Sequence, residues 1–418
     1  MKKIYTRNKM VRVLKFGGTS MLHMERVLDV IENFSSEQLF VVVSSIGKTT
    51  DWLKKENIER VRKAYLDWAK PFNVSPTCIN YIWNNARSII NDDTNPKERQ
   101  DLLLSYGEKC ASYCLASALM QRHLRAKVLT GVYVEGNYGD SKITHFSIPN
   151  DNCIFIVPGF YGYDNHGHVK TIGESGSDIT AGVLAKTTNA SEVIIYTDVD
   201  GVFTADPRRV DSANLIPKMN YSDVIELGFA GGNVLHPRTV SHLIGTNAIF
   251  WVRNLFDGDG CGTMIDNTNT STLSVAIRDN QIFVTVEKTS MFGIPGIASN
   301  IFDNLAKKGI NVSLITQSCS ETSISFAMNE SKIDLLYDLP IREILRVSIV
   351  TLVGANMKNR IGIAAQFFRS LSVNQINVIG IAQGSTERSL SAIVLRSDGD
   401  AALKSIHKHV IESYYLFA

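Results

Sequence analysis

The sequence predicts a doubly wound α/β domain that ends near Ile265, followed by a small α/β module that occurs twice. Short apolar runs alternate with helical patterns in the first part of the chain, as in a mostly parallel sheet with helices on both faces. Several of these runs end in loops rich in glycine and hydroxyl residues. After a polar linker at residues 267–272, the sequence matches itself at an offset of 66 residues without a gap. A chain of 418 residues with these features should form two or three domains.

The composition argues against several classes of function. The chain is 44% hydrophobic and 20% charged, and its net charge of +2 gives no reason to expect nucleic-acid or membrane binding. No apolar run approaches the roughly 18–20 residues of a membrane-spanning helix, and the N-terminus lacks the apolar segment of a secretory signal. The six cysteines are scattered without a CxxC pair, which is typical of reduced thiols in a cytoplasmic protein. His166 and His168 lack an evident third ligand, so we expect no metal site formed by protein ligands alone.

The first two strands of the predicted sheet each end in a loop suited to a phosphate. Lys15 lies at the end of the first strand, and Gly17 and Gly18 follow it. Glycines allow the backbone to approach a phosphate closely, and the lysine adds a cation. The second strand, at 39–43, is followed by small hydroxyl residues at 44–50. The GxxxxGK[ST] order of a Walker A loop is absent.

Residues 171–209 contain a third loop of this kind. Its glycines, Ser177 and Asp178 precede a helical run, so backbone N–H groups and the positive end of the helix dipole can face an anion. A buried strand is predicted at 193–196, and it is followed by polar residues that can reach a phosphate, namely Thr197, Asp198 and Arg208. Because ligands of open α/β sheets bind at the carboxyl ends of the strands, the three loops together predict a nucleotide site and phosphoryl transfer. Each loop alone is more typical of an ordinary helix cap or strand-to-helix turn.

A helical stretch rich in aromatic residues separates the second and third loops, at residues 51–124, with breaks near 71–76 and 91–96. Within it, the motif SYGEKCAS predicts the start of a helix that runs through Met120. Glu108 would then lie in a first helical turn, where an acid usually complements the helix dipole.

The repeat after the linker predicts two copies of one module. Residues 294–298 match 360–364, and Gln317 matches Gln383. Each copy predicts a strand, a glycine turn, a helix, a strand, a hairpin and a strand. Two such modules beside an enzyme domain favour a sensor of a small ligand, and the alternative is a pair of packing domains without a ligand. The matching hairpin serines are Ser323 and Ser325 in the first copy, and Ser389 and Ser391 in the second.

Several motifs occur in one order along the chain: KFGGTS, VVVSSIGKTTD, SYGEK, VPGF, GSDITA, YTDVDGVFTADPR and NVLHPRTV. In this order they resemble the aspartate kinases (aspartokinases) of the amino-acid kinase superfamily. The segments LITQSCSETSISF and IAQGSTERSLS resemble the paired ACT domains of its threonine-sensitive members. The resemblance implies an N-terminal tail (1–10), an amino-acid kinase catalytic domain with a doubly wound sheet (11–266) and two α+β ACT domains (273–340 and 341–418). Bifunctional members carry a homoserine dehydrogenase after the ACT pair, and we expect none here.

The resemblance also implies roles for individual residues. Lys15 and Asp178 are implied to be catalytic, with Lys15 on the β- and γ-phosphates and Asp178 orienting Lys15 or Mg²⁺. The implied ATP-binding residues are Lys15, Gly17, Gly18, Thr197, Asp198, Phe203, Arg208 and Asn233. The implied substrate-binding residues are Ser44, Thr50, Glu108, Glu174 and Ser177, with Glu108 on the α-ammonium group. The implied effector-binding residues are Gln317 and Gln383.

The resemblance thus implies phosphorylation of L-aspartate to 4-phospho-L-aspartate, with ATP and Mg²⁺. This reaction is the first step in the biosynthesis of lysine, threonine and methionine, and feedback control would act through the ACT domains. The expected partners are an amino-acid substrate, an amino-acid effector and further copies of the chain, in a homodimer or a higher homo-oligomer.

Two residues depart from the family pattern. The family loop GRGGSD has an arginine where this chain has Glu174, and the motif GAKVLHP has a lysine where it has Asn233. At position 174, a carboxylate replaces a guanidinium that would lie about 4 Å from a substrate carboxylate. The attraction then becomes a repulsion, and each of these interactions is about 4 kcal/mol at an effective dielectric constant of about 20. Two alternatives follow. Glu174 favours a paralogue that phosphorylates another carboxylate substrate, and Asn233 favours a catalytically weak ligand sensor.

Overall fold

The computed structural model describes residues 10–90, 95–232, 239–240, 242–246, 248–257, 262–268, 272–287, 296–318, 322–358 and 360–416. It divides into two compact units. Unit 1 comprises Met1–Val202 and His236–Asn267, and unit 2 comprises Phe203–Leu235 and Thr268–Ala418. Asn233, one of the implied ATP-binding residues, lies outside the described residues. Within them, no helix is long and apolar enough to cross a membrane.

The elements of the described chain are numbered in chain order. The strands are β1 (Val11–Phe16), β2 (Gln38–Val43), β3 (Ala126–Val128), β4 (Val132–Asn137), β5 (Asp140–Phe146), β6 (Ile154–Pro158), β7 (Tyr161–Tyr163), β8 (Val169–Thr171), β9 (Glu192–Thr197), β10 (Lys218–Asn220), β11 (Ile249–Asn254), β12 (Thr263–Asp266), β13 (Ser274–Glu287), β14 (Val312–Gln317), β15 (Ser323–Asn329), β16 (Ile341–Val353), β17 (Gly380–Gln383) and β18 (Ser389–Leu395). The helices are α1 (Gly18–Met21), α2 (Met24–Asn33), α3 (Thr49–Lys54), α4 (Ile58–Ala69), α5 (Pro76–Ile90), α6 (Pro96–Gln121), α7 (Gly176–Thr188), α8 (Tyr221–Phe229), α9 (Ile297–Lys307), α10 (Ile363–Val373), α11 (Gly399–Ile406) and α12 (Ser413–Leu416).

Unit 1 is built around a mostly parallel sheet, in which its strands lie in the order β12, β11, β9, β1, β2, β6, β3. The central strand β1 pairs in parallel with β2 and with β9, whereas β12 runs antiparallel to β11. Val13 and Leu14 are neighbours in β1 and point to opposite faces, and both are fully buried. Both faces of the sheet are therefore covered, which explains why these strands are continuous apolar runs. The predicted doubly wound α/β fold is confirmed.

A second, four-stranded sheet of unit 1 has the order β5, β4, β7, β8. Asp101 of α6 attaches this sheet to the helix. Its buried carboxylate accepts hydrogen bonds from the backbone N–H groups of Gly139 and Thr171, both at 2.8 Å, and from the Thr171 hydroxyl at 2.9 Å. Since Thr171 ends β8, these bonds fix the start of the loop that leads to α7.

The helix that contains Glu108 is longer than the sequence analysis predicts. It is α6, which begins at Pro96, and the Asn95 side chain accepts a hydrogen bond from the Lys97 N–H group. Asparagine as N-cap followed by proline at the first helical position is a strong start signal. The predicted helix start at SYGEKCAS is therefore wrong, and Glu108 lies in the middle of α6.

The repeats of unit 2 form a six-stranded sheet, and the described strands lie in the order β14, β15, β13, β16, β18, β17. The long strands β13 and β16 are central and pair antiparallel. Each half carries a helix, α9 or α10, that begins after a glycine with positive φ, 88° at Gly296 and 90° at Gly362. These two glycines are separated by the same offset as the sequence repeat. The offset also relates two hydrogen-bonded hydroxyl pairs, Thr285–Ser325 at 3.0 Å and Thr351–Ser391 at 2.9 Å.

Residues 203–235 belong to unit 2, although they precede the repeats in the sequence. In this segment Asp223 of α8 is buried and accepts a hydrogen bond from the Arg388 guanidinium at 2.7 Å. The backbone N–H group of Val275 donates to the carbonyl oxygen of Thr204 at 2.8 Å. A buried ion pair and a backbone bond to β13 thus attach this segment to the repeats.

Candidate active site

The carboxyl ends of four parallel strands lie side by side in unit 1. Phe16 of β1 pairs with Val43 of β2 and with Tyr196 of β9, and Val43 pairs with Pro158 of β6. The residues that follow these strands therefore meet at one edge of the sheet, which is where ligands of open α/β sheets bind. The predicted site residues at or next to these strand ends are Lys15, Gly17, Gly18, Ser44 and Thr197.

Lys15 and Asp178 form an ion pair at this edge. Lys15 is only 7% exposed, and Asp178 lies in the first turn of α7, where the helix dipole stabilises a carboxylate. The pair holds the lysine ammonium group at the end of β1, where both side chains are largely shielded from solvent. A cation held in this way is suited to bind phosphate oxygens.

The two glycines after β1 bring the first loop close to the second. A Cβ atom on Gly18 would lie 2.9 Å from the carbonyl oxygen of Ser45, and the Gly47 N–H group donates to the carbonyl oxygen of Gly18 at 2.9 Å. Any larger residue at position 18 would push the loops apart. A Cβ atom on Gly17 would lie 3.6 Å from the Lys15 ammonium nitrogen, which is an ordinary van der Waals contact, so the backbone of Gly17 passes directly beside this group.

Ser44 and Ser177 connect the end of β2 to the start of α7. Their hydroxyl oxygens are 2.8 Å apart. The close approach depends on Gly159, because a Cβ atom there would lie 2.5 Å from the Cβ atom of Ser177. Each hydroxyl can still make further hydrogen bonds, so the pair can also contact a ligand.

Glu108 is an acid that is only 4% exposed. One of its carboxylate oxygens accepts a hydrogen bond from the Ser45 N–H group at 3.0 Å, whereas the other, Oε2, is buried without a hydrogen-bond partner among the described residues. Burial raises the pKa of Glu108 to about 7, although the Ser45 hydrogen bond acts in the opposite direction. An unpartnered buried oxygen is costly. An ammonium group of a ligand would supply the missing donor.

Gly107 and Tyr65 allow α6 to approach the loop after β2. A Cβ atom on Gly107 would lie 2.8 Å from the Cβ atom of Ser45. The Tyr65 hydroxyl donates to the Gly107 carbonyl oxygen at 2.8 Å and accepts from the Ile46 N–H group at 3.2 Å. The Ser45 hydroxyl oxygen lies 3.2 Å from that of Thr50. Ser45 and Tyr65 are site residues that the sequence does not predict, because the apolar pattern of α4 gives no sign that its tyrosine bonds to this loop.

Thr197 and Asp198 follow β9, and the Thr197 hydroxyl donates to the Asp198 carboxylate at 3.1 Å. Asp198 is exposed. Next to them, the rings of Phe16 and Tyr196 stack with centroids 5.1 Å apart, which fixes the ends of β1 and β9 relative to each other. An exposed carboxylate on this rigid base can bind the hydroxyl groups of a ligand or a hydrated cation.

Glu174 is exposed and lies two residues before α7. The residues on either side of it have left-handed backbones, with φ of 91° at Gly173 and 55° at Ser175. A Cβ atom on Gly173 would also lie 2.8 Å from the carbonyl oxygen of Gly139. The path of this loop therefore depends on the glycine, and Glu174 adds a negative charge close to the N-terminus of α7.

The remaining predicted residues in the described chain belong to unit 2. Phe203 forms an isolated β-bridge, and the exposed Arg208 donates to the Asp206 carboxylate at 2.8 and 3.0 Å. Gln317 and Gln383 end β14 and β17, which are the two edge strands of the six-stranded sheet, and both are exposed.

The sheet edge in unit 1 thus combines two kinds of binding group. A buried cation, a helix N-terminus and several hydroxyls can bind phosphate or carboxylate oxygens. The buried acid with an unsatisfied oxygen can bind an ammonium group. This arrangement fits a substrate that carries both an ammonium group and a carboxylate, next to a polyphosphate.

Comparison with protein families gives two matches. The chain matches the amino acid kinase family over residues 10–252. It matches the ACT domain over residues 284–335 and 350–410.

Two curated relatives and one solved structure illustrate the similarity. The chain is 31% identical to an aspartokinase from a Bacillus strain, over 95% of this chain and 96% of that protein. It is 29% identical to the bifunctional aspartokinase/homoserine dehydrogenase of Haemophilus influenzae, over 95% of this chain but 56% of that protein, so it spans about half the length of such relatives. The fold is similar to that of E. coli aspartokinase III in complex with aspartate and ADP, with a TM-score of 0.81, 23% identity, and 96% of this chain and 99% of that chain covered.

Proposed function

The chain belongs to the amino acid kinase family, as an aspartokinase with C-terminal ACT domains, and we propose that it converts ATP and L-aspartate to ADP and 4-phospho-L-aspartate. The observation that carries this proposal is the position of Glu108. Its buried Oε2 atom, which has no hydrogen-bond partner among the described residues, suits an α-ammonium group. The loop that Glu108 contacts follows β2, next to the strand end that carries the Lys15–Asp178 pair.

In the proposed reaction, the side-chain carboxylate of aspartate attacks the γ-phosphorus of ATP. The new oxygen–phosphorus bond forms as the bond from the γ-phosphorus to the β–γ bridging oxygen breaks, and ADP leaves with that electron pair. Because the carboxylate is its own nucleophile, the protein mainly positions the reactants and neutralises charge. Lys15 and the backbone of Gly17 and Gly18 hold the β- and γ-phosphates. The proposed substrate contacts besides Glu108 are Ser44, Thr50, Ser177 and the loop that carries Glu174.

Mg²⁺ fits this site because Asp178 places a carboxylate beside the phosphate-binding Lys15, and Mg²⁺ usually binds one or two carboxylates together with substrate phosphates. The ion supplies positive charge for the phosphate oxygens, and Asp178 would hold it while orienting Lys15. The remaining proposed ATP-binding residues are Thr197, Asp198, Phe203, Arg208 and Asn233.

A second candidate is an amino-acid kinase with a different carboxylate substrate. It is favoured by Glu174, because an exposed acid close to the N-terminus of α7 would repel a carboxylate and attract a cation. A third candidate, a catalytically weak ligand sensor, is favoured by Asn233, which lacks the charge of the family lysine.

We propose a catalytic domain at residues 11–266 and ACT domains at 273–340 and 341–418, with an amino acid as effector and a homo-oligomer formed through the ACT domains. Gln317 and Gln383 are the proposed effector contacts. Their equivalent positions, at the exposed ends of β14 and β17, support this role.

Hydroxamate trapping of the acyl phosphate tests the proposed reaction directly. With ATP, Mg²⁺ and L-aspartate, we expect the wild-type protein to form hydroxamate, and Lys15→Ala to lower kcat by about 100-fold, which is typical when one group that stabilises transition-state charge is removed. Lys186→Ala is a matched control, since this lysine is exposed in the last turn of α7. A wild-type protein without acyl-phosphate formation would contradict the proposal, as would normal turnover by Lys15→Ala.

A further inference from the structure

Unit 2 contains a cavity of about 220 Å³ that lies between α8 and the sheet of the repeats. We call it the α8 cavity. Glu226 and Phe229 of α8 line one side, Arg278 of β13 lines another, and Leu314 of β14 and Thr351 of β16 belong to the sheet. The cavity is smaller than the roughly 300–1,000 Å³ of pockets for drug-sized ligands, so it suits a small metabolite.

Arg278 brings a positive charge into this cavity. Its side chain is partly buried, and burial lowers its pKa. In the described part of the chain, no hydrogen bond or ion pair connects this guanidinium to another side chain. A guanidinium has five N–H donors, and a charge that is withdrawn from water without a partner is unfavourable. The cavity therefore provides a site for an anionic group.

Glu226 lines the same cavity with the opposite charge. Across the described residues, no ion pair joins Glu226 to Arg278. Glu226 would repel a phosphate or a dicarboxylate, and Arg278 would repel a simple amine. A zwitterion satisfies both charges, because its carboxylate can contact Arg278 while its ammonium group contacts Glu226.

The remaining lining of the cavity indicates the kind of side chain that fits. Leu314, Ile315 and Ile349 are aliphatic, whereas Thr351 and Ser391 contribute the hydroxyl pair at 2.9 Å. Each of these hydroxyls can make a further hydrogen bond. A small aliphatic or hydroxylated side chain matches this mixed surface and the small volume.

The internal repeat provides a comparison within the same chain. The hydroxyl pair Thr285–Ser325 is the counterpart of Thr351–Ser391, but it does not line the α8 cavity. The position that corresponds to Arg278 at the repeat offset is Ile344, which carries no charge. Arg278 is thus a charged residue at a position that is apolar in the other copy, so packing of the duplicated sheet does not require its charge.

We propose that the α8 cavity binds a small α-amino acid, with its carboxylate on Arg278 and its ammonium group on Glu226. Ala382 and Gly384 line the cavity, whereas the proposed effector contacts Gln317 and Gln383 do not, so the cavity adjoins the proposed effector site but is lined by other residues.

Calorimetric titration of the full chain tests the binding site without reference to catalysis. The probes are L-threonine, L-valine and L-alanine, with propionate and ethylamine as ligands that carry one of the two charges each. We expect at least one amino acid to bind, and both single-charge ligands to bind at least tenfold more weakly. Failure of all three amino acids to bind, or equal binding of propionate, would overturn the proposal.

Variants then assign the binding to this cavity. Arg278→Met and Glu226→Gln should each weaken the amino acid at least tenfold, and Ser391→Ala should weaken it more than the matched control Ser325→Ala. Thermal melts establish that each variant is folded. If Arg278→Met does not fold, Glu226→Gln tests whether the amino acid binds in this cavity, because it keeps the size and shape of the side chain. Titration of the Gln317→Ala variant separates the α8 cavity from the proposed effector contacts. Gln317 does not line the cavity, so this variant should still bind the amino acid there. Binding that Arg278→Met and Glu226→Gln leave unchanged would overturn the assignment, whereas loss of kinase activity alone would bear only on the proposed function.

Discussion

At the scale of single residues, the ionisation of Glu108 should make substrate binding depend on pH. Burial raises its pKa to about 7, so the carboxylate becomes charged only as the pH rises through neutrality. An ammonium group needs the charged form, and kcat/KM for aspartate should therefore rise up to about pH 7 and then level off. Glu108→Gln keeps the shape of the side chain without its charge. We expect it to raise KM for aspartate at least tenfold, to remove the pH step, and to leave KM for ATP nearly unchanged in steady-state assays.

The raised pKa of Glu108 also predicts a change in stability with pH. Between about pH 4.5 and 7, Glu108 is more often protonated in the folded protein than in the unfolded chain. The free energy of unfolding should therefore fall as the pH rises from about 4.5 to 7. The shift corresponds to about 3 kcal/mol. In urea unfolding, Glu108→Gln should be more stable than the wild type at pH 8, and the difference should shrink toward pH 4.5. The same difference at both pH values would contradict the buried ionisation.

Glu174 decides between the proposed substrates. It is exposed, so Glu174→Ala should fold normally. If the enzyme uses aspartate, Glu174→Arg should raise kcat/KM for aspartate or change it little, and Glu174→Ala should be tolerated. If Glu174 binds a cationic group of another substrate, the wild type should be nearly inactive on aspartate, and Glu174→Arg with Asn233→Lys should create that activity. Hydroxamate trapping measures both variants.

The control for the Glu174 variants is Glu135→Ala, which removes another exposed acid of unit 1. One result would contradict both versions of the prediction. If the wild type turned over aspartate well and Glu174→Ala abolished the turnover while Glu135→Ala did not, Glu174 itself would be part of aspartate recognition.

At the scale of elements, α8 depends on the ion pair between Asp223 and Arg388. Asp223 is buried, and burial raises its pKa even though Arg388 lowers it. Removing the arginine leaves a buried carboxylate without its ion-pair partner, which costs about 3–5 kcal/mol. Arg388→Ala should lower the free energy of unfolding of unit 2 by this amount. The double variant Asp223→Asn with Arg388→Met should lose clearly less, as measured by urea unfolding in a double-mutant cycle.

Arg342→Ala serves as the control for this element, since its ion pair with Glu287 is on the surface. Exposed pairs contribute about 0–1 kcal/mol. Equal destabilisation by Arg342→Ala and Arg388→Ala would show that the Asp223 pair does not hold α8 in place.

At the scale of the whole molecule, the ACT domains should couple amino-acid binding to catalysis. We expect a small amino acid, threonine before lysine, to bind and to lower kinase activity. An effector can shift the enzyme only by its preference for the inactive state, typically about 1–3 kcal/mol. Binding to the folded protein also raises the melting temperature, so a thermal screen of the amino acids is the measurement. No increase with any amino acid, or unchanged inhibition of the kinase activity of Gln317→Ala, would contradict this assignment.

The sequence by itself determined the doubly wound sheet and the duplicated module. Parallel strands buried on both faces are continuous apolar runs, and the residues after them must meet at one edge of the sheet. Lys15, Ser44 and Thr197 could therefore be assigned to one site without a structure. The repeat was equally accessible, since identical spacing at every matched position requires a shared fold.

Only the tertiary structure decided the properties that depend on residues far apart in the chain. The motif SYGEKCAS predicts a helix start at this point of the sequence, and a glycine inside a helix costs about 1 kcal/mol relative to alanine. The structure shows instead that this glycine is needed where α6 passes Ser45, which lies more than 60 residues earlier. The pKa of Glu108 and the grouping of residues 203–235 with unit 2 arise in the same way. Burial and desolvation depend on which distant segments pack together, and a local pattern of residues does not contain that information.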